Sequence, residues 1–250
     1  MTQRQRILIT GASAGLGRGM ALEFAARGRD LALCARRMDR LEALRADILR
    51  RYPSVKVAVR SLDVTDYANV FTVFRELDEE LGGLDRIVVN AGIGRGAPVG
   101  TGRFDENLAT VTTNFVAALA QCEAALELFR PRGHGHLVTI SSIAALRGMP
   151  RAQTVYAATK AGLSSLTEGI RAETWNTDIC VSAILPGYID TEILSGSRRR
   201  PFIVDAERGC RAIVRAIERE KPVSCVPPWP WAPIAFLLRR APLGLILRFL

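Results

Sequence analysis

The stretch TGASAGLG at residues 10–17 decides the fold of this chain. It follows the apolar run RILIT (6–10) and leads into a helical pattern over 15–28. Glycines here permit a tight turn and a close approach to a phosphate group, and the N–H groups at the start of a helix favour an anion. The sequence therefore predicts a phosphate-binding turn, with a purely structural turn as the alternative. Its predicted contacts are Gly11, Ser13, Ala14, Gly15, Leu16 and Gly17.

Short apolar strands and longer helical patterns alternate along the rest of the chain. The predicted strands are 6–10, 30–35, 55–59, 86–90, 136–140, 180–185 and 222–226, and the predicted helices are 15–28, 38–52, 66–81, 105–130, 153–176 and 204–220. The strands are continuously apolar, as is typical of strands buried on both faces. This alternation, without a linker or repeat, predicts one α/β domain with a parallel sheet that helices cover on both sides.

The end of the second strand indicates which dinucleotide is bound. A carboxylate at this position holds the ribose 2′-hydroxyl of NAD, but here Ala35 is followed by Arg36 and Arg37. Arginine binds a 2′-phosphate, so the sequence predicts NADP(H) in preference to NAD(H). A merely solvated side chain is the alternative for Arg37. Asp63 and Val64 are predicted to flank the adenine, with a turn-forming role as the alternative for Asp63.

Composition bears on partners and compartment. The chain has a net charge of +9 and a pI near 9.9 over 250 residues. Such charge suits a nucleic acid or a membrane surface, but the arginines are scattered rather than interleaved with aromatic residues, and a GC-rich genome gives the same bias. We therefore expect no nucleic-acid partner. The five cysteines form no CxxC pair and no secretory signal is visible, which predicts free thiols, a cytoplasmic protein and no metal site.

Tyr156 and Lys160 stand four residues apart in the alanine-containing stretch TVYAATKAG (154–162). This spacing places both side chains on one face of the predicted helix. A nearby cation favours the ionised form of a phenol, whose ordinary pKa is about 10. The pair is either an acid with its tuning cation or a chance pair on a solvated helix face.

Six motifs occur in an order that resembles the short-chain dehydrogenases/reductases: TGASAGLG (10–17), VVNAG (88–92), TNFVAAL (113–119), TISS (139–142), YAATK (156–160) and PGYIDT (186–191). The resemblance covers roughly residues 5–225. It implies a single Rossmann-type domain with a doubly wound, seven-stranded parallel sheet. It also implies NAD(P)(H)-dependent oxidation or reduction at a secondary alcohol or ketone. A homodimer or homotetramer through the helices at 105–130 and 153–176 is implied as well.

The resemblance also implies roles for individual residues. Tyr156 would be the general acid/base, and Lys160 would favour its phenolate and bind the nicotinamide ribose. Ser142 would bind the substrate oxygen, and Asn114 would hold a water in a proton relay, with a polar contact inside the helix as its alternative. The implied cofactor contacts are Asn90, Ala91, Gly92, Tyr156, Lys160, Pro186, Gly187, Ile189 and Thr191.

Two details depart from the family pattern. Ser142 stands fourteen residues before Tyr156, whereas thirteen is usual in the family, so the intervening loop is one residue longer. Ser141, at fifteen residues, fits the pattern less well. The glycine-rich turn carries Ser13 where some NADP-using relatives have a basic residue, so Arg36 is expected to take more of the phosphate contact.

The segment after the sixth strand indicates the substrate. Tyr188, Ile189, Ile193 and Leu194 predict a lipophilic pocket, which favours a lipophilic ketone or secondary alcohol as the substrate. The run Arg198–Arg200 either binds an acidic group or lies in a solvated loop. A cofactor-sensing or lipid-surface protein without turnover is the alternative function.

Residues 229–250 form a tail beyond the predicted oxidoreductase domain of 1–228. The tail is rich in Trp, Leu, Ile and Phe, but Arg239, Arg240 and two prolines disfavour a membrane span. Three interpretations stay open: an interfacial amphipathic helix that makes peripheral membrane contact, an arm on an oligomer partner, or a cover over the substrate mouth.

Overall fold

The computed structural model of the chain describes residues 4–191 and 202–246. Seven strands form one sheet: β1 (Arg6–Thr10), β2 (Asp30–Ala35), β3 (Val57–Ser61), β4 (Arg86–Val89), β5 (His134–Ile140), β6 (Asp178–Pro186) and β7 (Val223–Val226). Neighbouring strands are all parallel, in the order β3-β2-β1-β4-β5-β6-β7. The predicted single domain with a doubly wound, seven-stranded parallel sheet is confirmed.

Helices connect the strands on both sides of the sheet. The described helices are α1 (Gly15–Ala25), α2 (Met38–Arg51), α3 (Tyr67–Leu81), α4 (Phe104–Val111), α5 (Ala117–Arg132), α6 (Thr154–Glu173), α7 (Ala206–Glu218), α8 (Pro228–Arg240) and α9 (Leu243–Ile246). Local signals set several boundaries. The Asp66 carboxylate accepts a hydrogen bond from Asn69 N at the start of α3, and Gly82 ends that helix in the left-handed region at φ 74°.

The structure differs from the prediction in the position of one strand and in the continuity of one helix. The third strand was expected at 55–59 but begins at Val57, because Val55 N still donates to Tyr52 O in the turn after α2. It continues to Ser61, which pairs with the end of β2. The predicted helix 105–130 is not continuous, since a π-helical turn at Thr112–Val116 separates α4 from α5.

Alternate side chains of the central strands enter opposite layers of the core. Ile7 and Ile9 pack toward α1, α2 and α7, whereas Leu8 packs toward α3, α5 and α6. Both layers contain large buried aromatics, such as Phe24 on one side and Phe129 on the other. The sheet is therefore held rigidly from both faces, and the loops at its carboxyl edge rest on a fixed base.

A third apolar cluster joins the predicted tail to the domain. Trp231 and Ala235 of α8 are buried against Ile143, Ala183 and Leu185. Pro233 and Pro242 were both expected to interrupt a helix in the tail. Pro242 does separate α8 from α9. Pro233 instead lies inside α8, in the first full turn after the non-helical residue Trp229, where its missing N–H has little effect. The start of the tail thus belongs to the folded core.

The order of the strands reverses between β1 and β4, which are hydrogen-bonded neighbours. In sheets of this kind the loops on either side of the reversal diverge and leave a crevice at the carboxyl ends of the strands. Across residues 4–191 and 202–246, no helix is long and apolar enough to cross a bilayer, and no group of three or more potential metal-ligating side chains comes together.

Candidate active site

A cavity of about 910 Å³ opens at the carboxyl edge of the sheet, where the strand order reverses. Its size is within the range of small-molecule and cofactor sites. Nearly all the predicted site residues line it: Gly11, Ser13, Ala14, Gly15, Leu16, Gly17, Arg36, Arg37, Asp63, Val64, Asn90, Ala91, Gly92, Ser142, Tyr156, Lys160, Pro186, Gly187, Ile189 and Thr191. Asn114 is the exception and lies buried behind the wall.

The glycine-rich turn has the geometry that a bound pyrophosphate requires. Gly11 and Gly15 adopt positive φ angles of 66° and 52°, which side chains rarely permit. A Cβ on Gly17 would lie 2.3 Å from Gly11 O, so only glycine lets α1 pack this close to the turn. Ala14 at the N-cap of α1 offers no side-chain acceptor, which leaves the first N–H groups of the helix for an anion. These features fit the phosphates of a dinucleotide.

Thr10 holds the turn against the neighbouring strand, and sequence reasoning missed this residue. Its hydroxyl oxygen accepts hydrogen bonds from Asn90 N and Ala91 N, each at 3.0 Å. The Asn90 side-chain amide in turn donates to Thr10 O at 2.8 Å. Asn90 therefore supports the cavity floor. A threonine immediately before the first glycine is the signal that would have indicated this contact.

The two arginines after β2 occupy different places. Arg37 donates from Nε and Nη2 to Ser13 Oγ at 3.3 and 3.1 Å, so it lies against the phosphate-binding turn. Arg36 is at the rim, with its side chain 72 % exposed and its Nη1 3.9 Å from Asp63 Oδ2. Both side chains line the cavity, and Arg37, not Arg36, is the arginine that touches Ser13.

Asp63 combines a turn role with a place in the cavity wall. Its Oδ1 accepts hydrogen bonds from Thr65 N at 3.0 Å and from Thr65 Oγ1 at 2.8 Å. Partial burial alone would raise the pKa of Asp63, but these hydrogen bonds and the charge of Arg36 outweigh it, so the pKa is lowered. Asp63 is therefore an anion at neutral pH, and it orders the start of the loop that leads to α3.

Tyr156 and Lys160 do not lie on a solvated face. Both line the cavity from α6, and Lys160 Nζ is 6.0 Å from the centre of the Tyr156 ring. Lys160 is buried and donates from Nζ to Ile140 O at 2.8 Å. Burial lowers the pKa of Lys160 from 10.5 to about 8, so the ammonium form still predominates at neutral pH. The phenol thus has a cation within electrostatic reach, shielded from water.

The structure separates the roles of the two neighbouring serines. Ser141 is buried, donates to Lys160 O at 2.9 Å and pairs with Ser164 Oγ at 2.8 Å. Ser142 is half-buried in the cavity wall, and its Oγ accepts a hydrogen bond from Ala144 N at 3.1 Å. That bond leaves the Ser142 hydroxyl hydrogen for another acceptor. The longer loop before Tyr156 contains a 3₁₀ turn in which Arg151 adopts a positive φ of 61°.

Asn114 lies in the π-helical turn between α4 and α5, a kind of helical irregularity that is frequent at functional sites. Its Oδ1 accepts from Ile93 N at 2.8 Å, and its Nδ2 donates to Ile93 O at 2.9 Å. Both ends of the side-chain amide are therefore used within the protein. A Cβ on Gly92 would lie 3.1 Å from Asn114 Oδ1 and 3.6 Å from Lys160 Nζ, so these two residues border the same glycine.

Loops after β4, β5 and β6 complete the open end of the cavity. The lining residues that sequence reasoning missed include Ile93, Arg95, Leu108, Ala144 and Gln153. They come from connections without a motif, so no signal in the sequence indicated them. Tyr188 lines the cavity as expected. Ile193, Leu194 and the run Arg198–Arg200 lie outside the described residues.

These features define a nicotinamide-dinucleotide site of Rossmann type with a tyrosine–lysine pair at its centre. The family model described as short chain dehydrogenase matches residues 5–201. The chain belongs to the short-chain dehydrogenase/reductase family and is an oxidoreductase.

Individual relatives agree with this assignment. An uncharacterized oxidoreductase of Mycobacterium tuberculosis is 53 % identical over 246 residues, which cover 98 % of this chain and 97 % of that protein. A short-chain dehydrogenase from Sphingobium yanoikuyae, solved in complex with NADPH, is 29 % identical with a TM-score of 0.83 and covers 97 % of this chain and 95 % of its own. A bulky-bulky ketone specific alcohol dehydrogenase from Comamonas testosteroni is 28 % identical with a TM-score of 0.79, over 98 % of this chain and 94 % of its own.

Proposed function

We propose that the protein is an NADP(H)-dependent oxidoreductase that interconverts a lipophilic ketone and the corresponding secondary alcohol. The observation that carries this proposal is the juxtaposition of Tyr156 with the buried Lys160 ammonium inside the cavity. A phenol held beside a desolvated cation is suited to proton transfer near neutral pH. The nicotinamide, when bound, supplies or accepts the hydride.

The side chains around Tyr156 divide the acid–base work. In the direction of reduction, Tyr156 gives its proton to the carbonyl oxygen as negative charge develops there. Ser142 donates a hydrogen bond to the same oxygen, since its own oxygen is already occupied by Ala144 N. Lys160 stabilises the phenolate that remains after the transfer. Asn114 holds the loop at Ile93 in place with both ends of its side-chain amide. The water of the proton relay is proposed for Asn114 only on the family resemblance.

A preference for NADP(H) is supported by the charges at the rim. Arg37 contacts Ser13, and Arg36 lies at the rim near Asp63, so two guanidinium groups line this part of the cavity and are suited to bind a 2′-phosphate. A carboxylate that would bind the ribose 2′-hydroxyl of NAD is missing at Ala35. The relative from Sphingobium yanoikuyae was solved with NADPH, which agrees with this preference.

A lipophilic substrate is supported by apolar side chains at the open end of the cavity. Ile93, Leu108, Ala144 and Tyr188 lie there together. The relative from Comamonas testosteroni is specific for bulky-bulky ketones, which is the kind of substrate that such a wall admits. The lining also includes polar residues, among them Arg95, Asp105 and Gln153, which are suited to orient a substrate that also carries a polar group.

We also propose that the active form is a homodimer or homotetramer. Val116 and Leu119, along α5 and the turn before it, expose 38 % and 37 % of their surface. An apolar stripe on this helix face is suited to packing against a second copy.

All five cysteines are free, which favours a reducing compartment such as the cytoplasm.

The test is NADPH consumption with ketones of increasing chain length, using the wild type, Tyr156→Phe and the matched control Tyr52→Phe. We expect turnover to rise with chain length and to fall at least about 100-fold in Tyr156→Phe while NADPH binding is kept. Tyr52 lies at the end of α2 outside the cavity, so its variant should behave as the wild type. Undiminished turnover in Tyr156→Phe would contradict the proposal. NADPH binding without reduction of any ketone would favour the sensor without turnover.

A further inference from the structure

The helix α8 has two unlike sides. Its inner side is part of the core, where Trp231 is only 4 % exposed. Its outer side and the following helix α9 present large apolar side chains to solvent: Trp229 (79 % exposed), Phe236 (61 %), Leu237 (58 %), Leu243 (51 %) and Leu245 (43 %). We call these residues, with Arg239 and Arg240, the tail surface. So many large, exposed apolar side chains on two successive short helices indicate an interaction site rather than an ordinary surface.

The charges of the tail surface are all of one sign. Glu220 is the last acidic residue of the sequence, and Lys221, Arg239 and Arg240 follow it within the described residues. The Arg240 guanidinium lies 4.2 Å from the centre of the Phe236 ring, so cation and aromatic ring share one patch. Two copies of this surface placed face to face would bring arginines together without a carboxylate between them. An anionic surface offers the complementary charge.

The tail surface is attached to the rim of the active-site cavity. The Trp231 ring meets Tyr188 edge-on at 5.2 Å and Phe202 at 6.4 Å. Tyr188 lines the cavity, while Phe202 is 57 % exposed and extends the apolar area. A Cβ on Gly187 would lie 2.1 Å from the Trp231 ring, which shows how closely α8 presses on this loop. Whatever covers the tail surface therefore lies beside the cavity mouth.

We propose that the tail surface docks on an anionic phospholipid bilayer, with the cavity mouth next to the membrane. Trp, Phe and Leu side chains enter the boundary between headgroups and acyl chains, and arginines bind the lipid phosphates. This arrangement places a lipophilic substrate in the bilayer within reach of the cavity. The docking rests on the tail surface alone, and only the route of the substrate rests on the proposed function.

The experiment is flotation of the full-length protein with vesicles of equimolar phosphatidylcholine and phosphatidylglycerol, compared with phosphatidylcholine alone. One variant removes apolar anchors, Trp229→Ser with Phe236→Ser, and another removes cations, Arg239→Gln with Arg240→Gln. The control for the apolar variant is Trp175→Ser, because Trp175 is 76 % exposed and lies between the end of α6 and the amino end of β6. The control for the cation variant is Arg50→Gln with Arg51→Gln, near the end of α2. NADPH binding verifies that each variant is folded.

We expect the wild type and both controls to float with the anionic vesicles only, and to be released by high salt. The loss of two arginines should lower the partition coefficient about 30-fold, and the loss of Trp229 and Phe236 at least about tenfold. A wild type that stays unbound, or tail variants that float like the wild type, would overturn the proposal. So would light scattering that shows either tail variant turning an oligomer into a monomer, since the occupant would then be a second copy.

Discussion

Replacing the buried Lys160 by methionine is expected to stabilise the folded chain while it removes the activity. Burial lowers the pKa of Lys160 from 10.5 to about 8. Each pKa unit corresponds to about 1.4 kcal/mol, so the charged lysine destabilises the folded state by about 3 kcal/mol at neutral pH. Methionine loses the hydrogen bond to Ile140 O, worth about 1 kcal/mol. The variant should therefore gain about 2 kcal/mol, or about 4–8 °C in Tm.

The gain should depend on pH in a defined direction. The unfolded chain keeps the proton on this lysine up to about pH 10.5, whereas the folded chain releases it near pH 8. Between these values the unfolded state binds more protons, so the stability of the wild type rises with pH relative to Lys160→Met. The advantage of the variant is complete below pH 8 and is gone by about pH 10.5.

Urea unfolding followed by circular dichroism measures this difference from neutral pH to about 10.5. The exposed Lys56 provides the control variant Lys56→Met, whose stability should follow the wild type at every pH. In parallel, kcat/KM of Lys160→Met for ketone reduction should fall at least about 100-fold. A variant that is less stable than the wild type at neutral pH, or a difference that does not change with pH, would refute the reasoning.

Four further single substitutions test other parts of the site. Ser142→Ala should lower kcat about 100-fold and leave the stability unchanged. Ser141→Ala loses two hydrogen bonds of a buried hydroxyl and should lower the unfolding free energy by about 2 kcal/mol. Enzyme kinetics and urea unfolding distinguish the two variants, and the reverse outcome would exchange the roles of the two serines. Arg37→Ala should raise KM for NADPH at least about tenfold and leave KM for NADH unchanged; an equal effect on both cofactors would contradict a 2′-phosphate contact. Gly187→Ala forces a Cβ against the Trp231 ring and should lower kcat/KM about 100-fold through displacement of the loop, and Gly187→Ala combined with Trp231→Leu should recover part of it.

The sequence predicted the sheet well because its strands are buried on both faces. Apolar runs such as RILIT and DLALCA are most stable as strands in the interior of a sheet, and they match β1 and β2 residue for residue. The third strand was displaced by two residues because hydrogen bonds to the preceding turn decide where β3 starts. The π-helical turn at Thr112–Val116 was not predicted, because the sequence pattern predicted one continuous α-helix over 105–130.

Within the site, nearly all the residues that the sequence predicted line the cavity, and the structure shows how they are held. The spacing of Tyr156 and Lys160 put them on one helix face, but only the packing of α6 against β5 desolvates the ammonium. In the sequence, only the spacing to Tyr156 favours Ser142 over Ser141. Because successive residues at the end of a strand point in opposite directions, one enters the core and the other the cavity.

The sequence by itself determined the strand–helix alternation, the phosphate-binding turn at 10–17, the arginines after β2 and the tyrosine–lysine pair, since each depends on contacts between residues near in sequence. Only the tertiary structure decided that Arg37 donates a hydrogen bond to Ser13, that the Asn114 side chain is hydrogen-bonded to the backbone of Ile93, and that Trp231 of the tail packs on Gly187. These contacts join segments that are distant in the chain. Their formation depends on the shape and twist of the finished sheet, which no local pattern encodes.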